Sequence, residues 1–380
     1  MIDIFRSHKL KILADKLASD LKRVSPDDPL VPMEVIVPNR DTARWLKLHL
    51  AEKNKILANV FFLLPAEWQF RMIRKLYPRL PDVLPSDPGP LTWSVFDILM
   101  DDDARQRFPE PDRYISYQPD EIKDRSVLQL SSKIASVYDQ YLVYRPELIL
   151  NWQHGEMPDD PDEAWQADLW RELEKRRLKR EKGQGFPNKA VLIRETTAAL
   201  SDGTIKPDNA SLLFNTGLIS RPILKMAQAA SDRSDLYLYQ TSVTKELNPE
   251  PVNPLLRAFG DEAAGLQTLL NGLNRAEQKN FDGDLSDQNA LTSIQQSVIR
   301  DSEIDPVSDG TLEGVEVHSC HSPLREVEVL HQFLLRQFQN NPTLHPDDIL
   351  VMMPDVDSYT PVIHAVFGTG QEGLPSIPYQ

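Results

Sequence analysis

Val35-Ile36-Val37-Pro38-Asn39-Arg40-Asp41-Thr42 is the stretch on which the fold turns. Three consecutive β-branched apolar residues without polar alternation are the pattern of a parallel strand covered on both faces. Pro38-Asn39-Arg40-Asp41 supplies a turn, and 42–53 reads as a helix carrying Trp45, Leu46, Leu48 and Leu50. Upstream, Ile2, Ile4 and Phe5 form a short strand that runs into Arg6-Ser7-His8-Lys9. Leu10, Leu13, Leu17 and Leu21 then give the next helix one apolar face. Strand, helix, strand, helix within about sixty residues predicts an α/β protein built on a parallel sheet.

Outward from there the period changes. The stretches 67–77, 93–100, 127–144 and 163–181 hold apolar residues three and four apart. Pro78, Pro81, Pro85, Pro88 and Pro90 punctuate the first connection, and Trp93, Trp152, Trp165 and Trp170 add aromatic bulk. Strand character returns at 210–215, followed by a helix over 221–230 and a strand over 235–239. The expected division is therefore 1–65 with 206–250 as a first α/β domain and 66–205 as a mostly helical insertion. Residues 251–313 read as a polar connecting region with one or two helices, least ordered over 280–312. Residues 314–380 read as the start of a second α/β domain, with strands at 315–318 and 349–353 and helices at 325–338 and 359–367. Two β–α units do not close a core, so the chain is expected to be a fragment with an open apolar sheet edge or face.

The 380 residues suffice for about two to three domains. With 42 Lys and Arg against 57 Asp and Glu, the net charge of −15 disfavours coating DNA through bulk charge, while leaving room for a local basic channel. A hydrophobic content of 41% excludes a disordered chain. Apolar runs such as 60–64 fall well short of the ~20 residues of a membrane span, and no secretory signal opens the sequence. The single cysteine, Cys320, excludes an internal disulfide framework and fits a reducing cytoplasm.

A parallel sheet with a helical insertion and a second α/β unit suggests a motor ATPase, which needs glycines, a Lys and a Ser or Thr in its phosphate loop. Arg6-Ser7-His8-Lys9-Leu10 has no glycine, and no hydroxyl follows Lys9. Phe214-Asn215-Thr216-Gly217 stands where an Asp-Glu pair would hold Mg²⁺. ATP hydrolysis by this chain is not expected. Pro119-Asp120-Glu121-Ile122-Lys123 resembles a nuclease signature but is contiguous in one loop, where the chemistry of a helix start explains it better. Asp282-Gly283-Asp284 lacks the glycine and the bidentate acid of a calcium loop, and Asp101-Asp102-Asp103 reads as a solvated turn. His318-Ser319-Cys320-His321 has no zinc spacing, and Cys320 lacks the two partners a nucleophile needs. Lys175-Arg176-Arg177-Lys179-Arg180-Lys182 is a dense basic cluster: either a solvated helix face or a backbone-phosphate contact on a channel rim.

Several long, aperiodic runs carry a family resemblance. They are Gln129-Leu130-Ser131-Ser132-Lys133, then 139–146 (Asp-Gln-Tyr-Leu-Val-Tyr-Arg-Pro), Ala164-Trp165-Gln166 with Leu169-Trp170, and Asn253-Pro254-Leu255-Leu256. The longest is 321–331 (His-Ser-Pro-Leu-Arg-Glu-Val-Glu-Val-Leu-His), continuing through Asp357-Ser358-Tyr359 to Val366-Phe367-Gly368. In this order, from first residue to last, the chain resembles the RecC family, the gamma chain of the bacterial RecBCD enzyme (exodeoxyribonuclease V). The resemblance implies a RecA-like, superfamily 1 helicase-like α/β fold with a degenerate ATP site. It also implies a non-catalytic subunit that guides DNA strands and scans for the Chi hotspot in double-strand break repair by homologous recombination. Its partners would be RecB-like and RecD-like helicase and nuclease subunits with single- and double-stranded DNA. ATP and Mg²⁺ would be used by those partners, with no cofactor or metal in this chain. An active helicase or nuclease, or a pure interaction scaffold without DNA binding, are the competing readings.

Family residues lining the Chi-reading tunnel fall on Pro38, Arg40, Arg44, Leu64, Phe70, Ser136, Val137, Asp139, Gln140, Arg145 and Lys189. Leu64, Asp139 and Arg145 are kept, and Gln140 lies in the same matching run. Pro38, Arg40 and Arg44 stand where small polar or amide side chains occur in the best-known members. Phe70 replaces a Trp, Ser136 an Asp, Val137 a Leu and Lys189 an Arg. The resemblance implies that tunnel geometry is kept, and leaves open which DNA sequence is read. It places Arg40, Arg44, Arg145 and Lys189 on one basic wall with Leu64 and Phe70, where stacking by Phe70 and phosphate pairing by Arg145 and Lys189 would tolerate any sequence.

Overall fold

All strand pairs among the described residues are parallel. β1 (Ile2–Ser7), β2 (Met33–Ile36), β3 (Val60–Leu63), β4 (Ser211–Phe214), β5 (Leu236–Thr241) and β6 (Ala276–Asn280) form one sheet in the order β3-β2-β4-β5-β1-β6. The computed structural model describes the chain except residues 27, 29, 157, 159, 183, 184, 216, 218, 245–247, 275, 281–288, 305–313, 369–376 and 380. Residues 1–286 with 296–304 form one compact unit, and 287–295 with 305–380 another.

Pleating sends Ile4, Ile36, Leu63, Leu213 and Leu238 to one side of the sheet and Phe5, Val35, Phe62, Leu212, Phe214 and Tyr239 to the other. The second side is covered by α1 (Leu10–Val24) and α2 (Arg40–Asn54) through Leu13, Leu17, Leu46 and Leu50. The first side is covered by α3 (Pro65–Leu76), α10 (Lys189–Asp202) and α11 (Arg221–Ser231). Two covered faces explain why the central strands read as unbroken apolar runs.

Between β3 and β4 the chain is helical. α4 (Pro88–Leu99), α5 (Asp102–Arg105), α6 (Pro109–Ser116), α7 (Lys123–Tyr144), α8 (Pro146–Gln153) and α9 (Pro161–Arg180) build a separate core. Its centre is Tyr138, whose ring meets Trp170 edge-on at 5.3 Å and whose hydroxyl donates to the Gln166 carbonyl at 2.8 Å. α10 joins the two cores, giving Ala190 to the helical one and Leu192, Ile193 and Leu200 to the sheet. Asn188 caps its start and Gly203, at φ 84°, ends it in the left-handed conformation that glycine adopts without strain.

β6 departs from the sequence reading, which placed 251–313 in a connecting region. Ala276-Glu277-Gln278-Lys279-Asn280 pairs with β1 from Ile2↔Ala276 to Arg6↔Asn280. It is an edge strand, and edge strands carry charge that discourages further pairing, so the apolar signal is missing. Two helices precede it, α12 (Pro254–Phe259) and α13 (Asp261–Asn271). The Asp282 to Asp284 stretch and about half of the region expected to be least ordered lie outside the described residues, and 290–300 within it is helical.

The second unit holds the start of α14 (Ala290–Arg300), then α15 (Pro323–Asn340) and α16 (Val356–Phe367). Both later helices contain the expected stretches and begin at side-chain caps, Ser322 to the Arg325 N–H and Asp355 to the Ser358 N–H. The expected strands 315–318 and 349–353 join no ladder among the described residues. A strand exists by pairing its N–H and C=O groups with a neighbour, and among the described residues neither stretch has one. Val317 is 90% exposed and Met352 84% exposed as a result.

Candidate nucleic-acid interface

A parallel sheet brings the C-terminal ends of its strands to one edge, where ligands of open α/β proteins bind. Here that edge is knitted together by its own side chains. Only His8 and Lys9 separate β1 from α1, and the Lys9 N–H donates to Ser7 Oγ at 3.1 Å. The buried Arg6 guanidinium donates to Ser242 Oγ beyond β5 at 2.6 Å and to Gln278 Oε1 on β6 at 3.3 Å. Asn215, at φ 48° after β4, accepts from the Thr241 hydroxyl at 2.6 Å.

The next strand end carries four of the expected residues. Pro38 and Arg44 are exposed, Pro38 in the β2–α2 turn and Arg44 on α2, while Leu64 is half-buried at the junction of β3 and α3. Arg40 forms a bracket. Met33 and Val37 take the carbonyls of Asn59 and Leu63, so the Phe62 carbonyl faces the open edge of β3. Arg40 donates to that carbonyl at 3.3 Å and pairs with Glu67, whose other oxygen accepts from the Leu64 N–H at 2.8 Å. Arg40 and Glu67 thus satisfy edge groups that would otherwise invite another strand.

The remaining residues sit on α3, α7 and α10. Phe70 packs on the sheet core with the Arg74 guanidinium 4.9 Å from its ring centre. Gln129, Lys133, Ser136, Val137, Gln140 and Tyr144 recur at helical spacing on the exposed side of α7. Asp139 lies half-buried beside them and meets Lys189 of α10 at 2.6 Å; Asp87 meets the same ammonium at 2.7 Å. Burial alone would lower the Lys189 pKa, but the hydrogen bonds and charges of the two carboxylates outweigh it and hold it above the ordinary lysine value. Arg145 joins α7 to α8 and is exposed.

The expected basic wall is therefore divided. Arg40 and Lys189 are bound into ion pairs, whereas Arg44 and Arg145 are exposed with no ion pair among the described residues. The sequence reading missed the partners Glu67 and Asp87. Glu67 was detectable, because an acid three residues after a helix cap is a start signal; Asp87 approaches Lys189 only through the tertiary fold.

Other motifs resolve as local structure. Asp120–Ile122 is a single 3-10 turn leading into α7, and Asp101 caps α5 by accepting from the Ala104 N–H at 3.3 Å. The hydrogen bond from Arg176, with that from Ala104, holds the Asp101 carboxyl below its usual range. In the basic cluster Arg176 pairs with Glu172 and Asp101, and Arg177 with Glu174 and Glu181. Among the described residues no group of three His, Cys, Asp or Glu could hold a metal ion. No helix there is long and apolar enough to cross a membrane.

Fold and site together define an α/β protein with a helical insertion, in which exposed arginines stand on α2 and at the α7–α8 junction and the strand ends are closed by the protein's own side chains. Residues 2–301 match the family described as RecC, N-terminal domain, and the chain belongs to that family. It is 28% identical to the RecBCD enzyme subunit RecC of Escherichia coli (strain K12), over 97% of this chain and 38% of that protein. The Haemophilus influenzae subunit is also 28% identical, over 100% of this chain and 40% of its own length. The Mycobacterium tuberculosis (strain H37Rv) subunit is 26% identical over 97% of the chain. The chain spans about two fifths of the curated relatives it matches.

Proposed function

We propose that this chain is a non-catalytic, DNA-guiding and hotspot-recognition part of an ATP-dependent helicase–nuclease complex in the cytoplasm, acting in recombinational repair. The observation that carries the reading is the ordered similarity to RecBCD subunits along nearly the whole chain. Arg44 and Arg145 are the cations available to a strand, and Ser136, Val137 and Gln140 offer mixed polar and apolar contacts to bases along one helix face. Pro38, Leu64 and Phe70 would shape the wall, with Arg40, Asp139 and Lys189 holding it in place. The sheet order, with β1 between β5 and β6 and β4 one strand further out, suits a RecA-like lineage. Its nucleotide edge is degenerate on this reading. The Lys9 N–H that would face a phosphate is spent on Ser7, and the two-residue turn offers no cradle. ATP and Mg²⁺ then act on RecB-like and RecD-like partners.

The test is phosphate release by the purified chain with single-stranded DNA present. No release above background is expected. Turnover of even ~1 s⁻¹ that survives re-purification would contradict a degenerate site.

A further inference from the structure

Between α4 and α9 lies a cleft of about 460 Å³ that none of the residues matched to the Chi-reading tunnel lines. Leu84, Pro85, Leu91 and Leu173 give it an apolar lining. Trp93 stands at its side 59% exposed, unusual for so large an apolar surface. Its lining arginines and carboxylates are paired, Arg180 most loosely, reaching Asp97 only at 3.7 Å with both side chains largely in solvent. Lys179 and Lys182 flank Arg180, exposed and without an ion pair among the described residues. Two further lining residues, Ser86 and Trp170, are more than nine-tenths buried, and Ser86 Oγ and Trp170 Nε1 have no hydrogen-bond partner among the described residues.

We propose that this cleft docks an extended peptide segment of a partner subunit, with an apolar anchor side chain in the cleft and carboxylates against Lys179, Arg180 and Lys182. Exposed Trp and Arg around an apolar pocket is the composition of protein-recognition hot spots. A nucleic-acid strand fits less well. Trp93 is a single aromatic face, and the leucines and prolines beside it provide no further platform on which successive bases stack. Ser86 and Trp170 are closed to solvent as the cleft stands. A seated segment that displaces the 83–86 stretch brings backbone carbonyls within reach of both donors.

The proposal rests on the subunit reading, because the segment comes from a helicase or nuclease partner. The probe is a set of synthetic peptides of about fifteen residues tiled across those partner subunits from the same genome, titrated against the labelled chain. At least one acidic peptide with an apolar anchor should bind at ~10 μM. Trp93→Ala and Arg180→Glu, both at exposed positions and checked for unchanged thermal midpoint, should each weaken it about tenfold or more. Excess oligothymidylate should not compete. Absence of any binding peptide, binding unchanged in both variants, or displacement by oligothymidylate overturns the docking site. Loss of peptide binding with hotspot cutting still sensitive to Arg145 refutes the cleft alone; the converse pattern refutes the DNA reading alone.

Discussion

In the complex reassembled with its partner subunits, Arg145→Ala is expected to reduce hotspot-dependent cutting about tenfold to a hundredfold, corresponding to ~1–3 kcal/mol for a well-placed base contact. Unwinding, driven by the partner motors, should stay within about twofold of the parent. Arg145 sits between two helices, its position set by the buried Pro146 that opens α8, and its guanidinium has no ion pair to lose among the described residues. Its removal therefore spares the fold and acts on what the side chain reaches. A phosphate contact alone would behave differently, lowering affinity for all sequences and reducing the salt slope by ~0.7. Arg44→Gln should change which sequence is cut rather than how fast the complex moves, because an amide presents both a donor and an acceptor where Arg presents donors only. Strand-cut mapping on duplexes with candidate hotspots reads both. Unaltered hotspot choice in the two variants would remove these side chains from the DNA path.

Lys189→Met is expected to act on stability instead. It leaves Asp87 and Asp139 facing each other, all three side chains being about three-quarters shielded from solvent. Removing one partner of a buried ion pair costs ~3–5 kcal/mol, and partial exposure reduces this to about 1–3 kcal/mol. For a domain of this size that is a thermal midpoint lower by about 2–10 °C. Asp139→Asn, which leaves the Lys189–Asp87 pair, should cost less. The pH dependence follows from the raised Lys189 pKa. The folded-state value lies above the unfolded one, so the stabilisation is complete below the ordinary lysine pKa of ~10.4 and is lost as pH rises through the folded value. The parent should therefore shed stability in the alkaline range more steeply than Lys189→Met does. Equal midpoints for parent and variant across pH would show that the three charges do not form a working cluster.

What the sequence revealed, and what it hid, follows from who each residue's neighbours are. β2, β4 and β5 were legible because both their faces are buried, which leaves Val35, Leu212 and Leu238 in unbroken apolar runs. β6 was hidden because an edge strand is kept polar, and Glu277 and Lys279 say nothing of the β1 partner that fixes them. The stretches 315–318 and 349–353 have the apolar content of strands, yet composition does not supply a neighbour to pair with. Among site residues, the resemblance named the positions and their exposure separated them. Arg40 and Lys189 differ from Arg44 and Arg145 only in the tertiary placement of Glu67, Asp87 and Asp139, which no local pattern around the two cations encodes.

The most direct test places a photoreactive thymidine along the 3′-ended strand of a DNA fork bound to the reassembled complex and maps the crosslinked peptides. The account predicts crosslinks in this chain within α7 and the Arg145 junction, and in the segment formed by the Pro38 turn and the Arg44 end of α2. Crosslinks confined to the partner subunits, with neither segment labelled in a complex that still unwinds DNA, would contradict it.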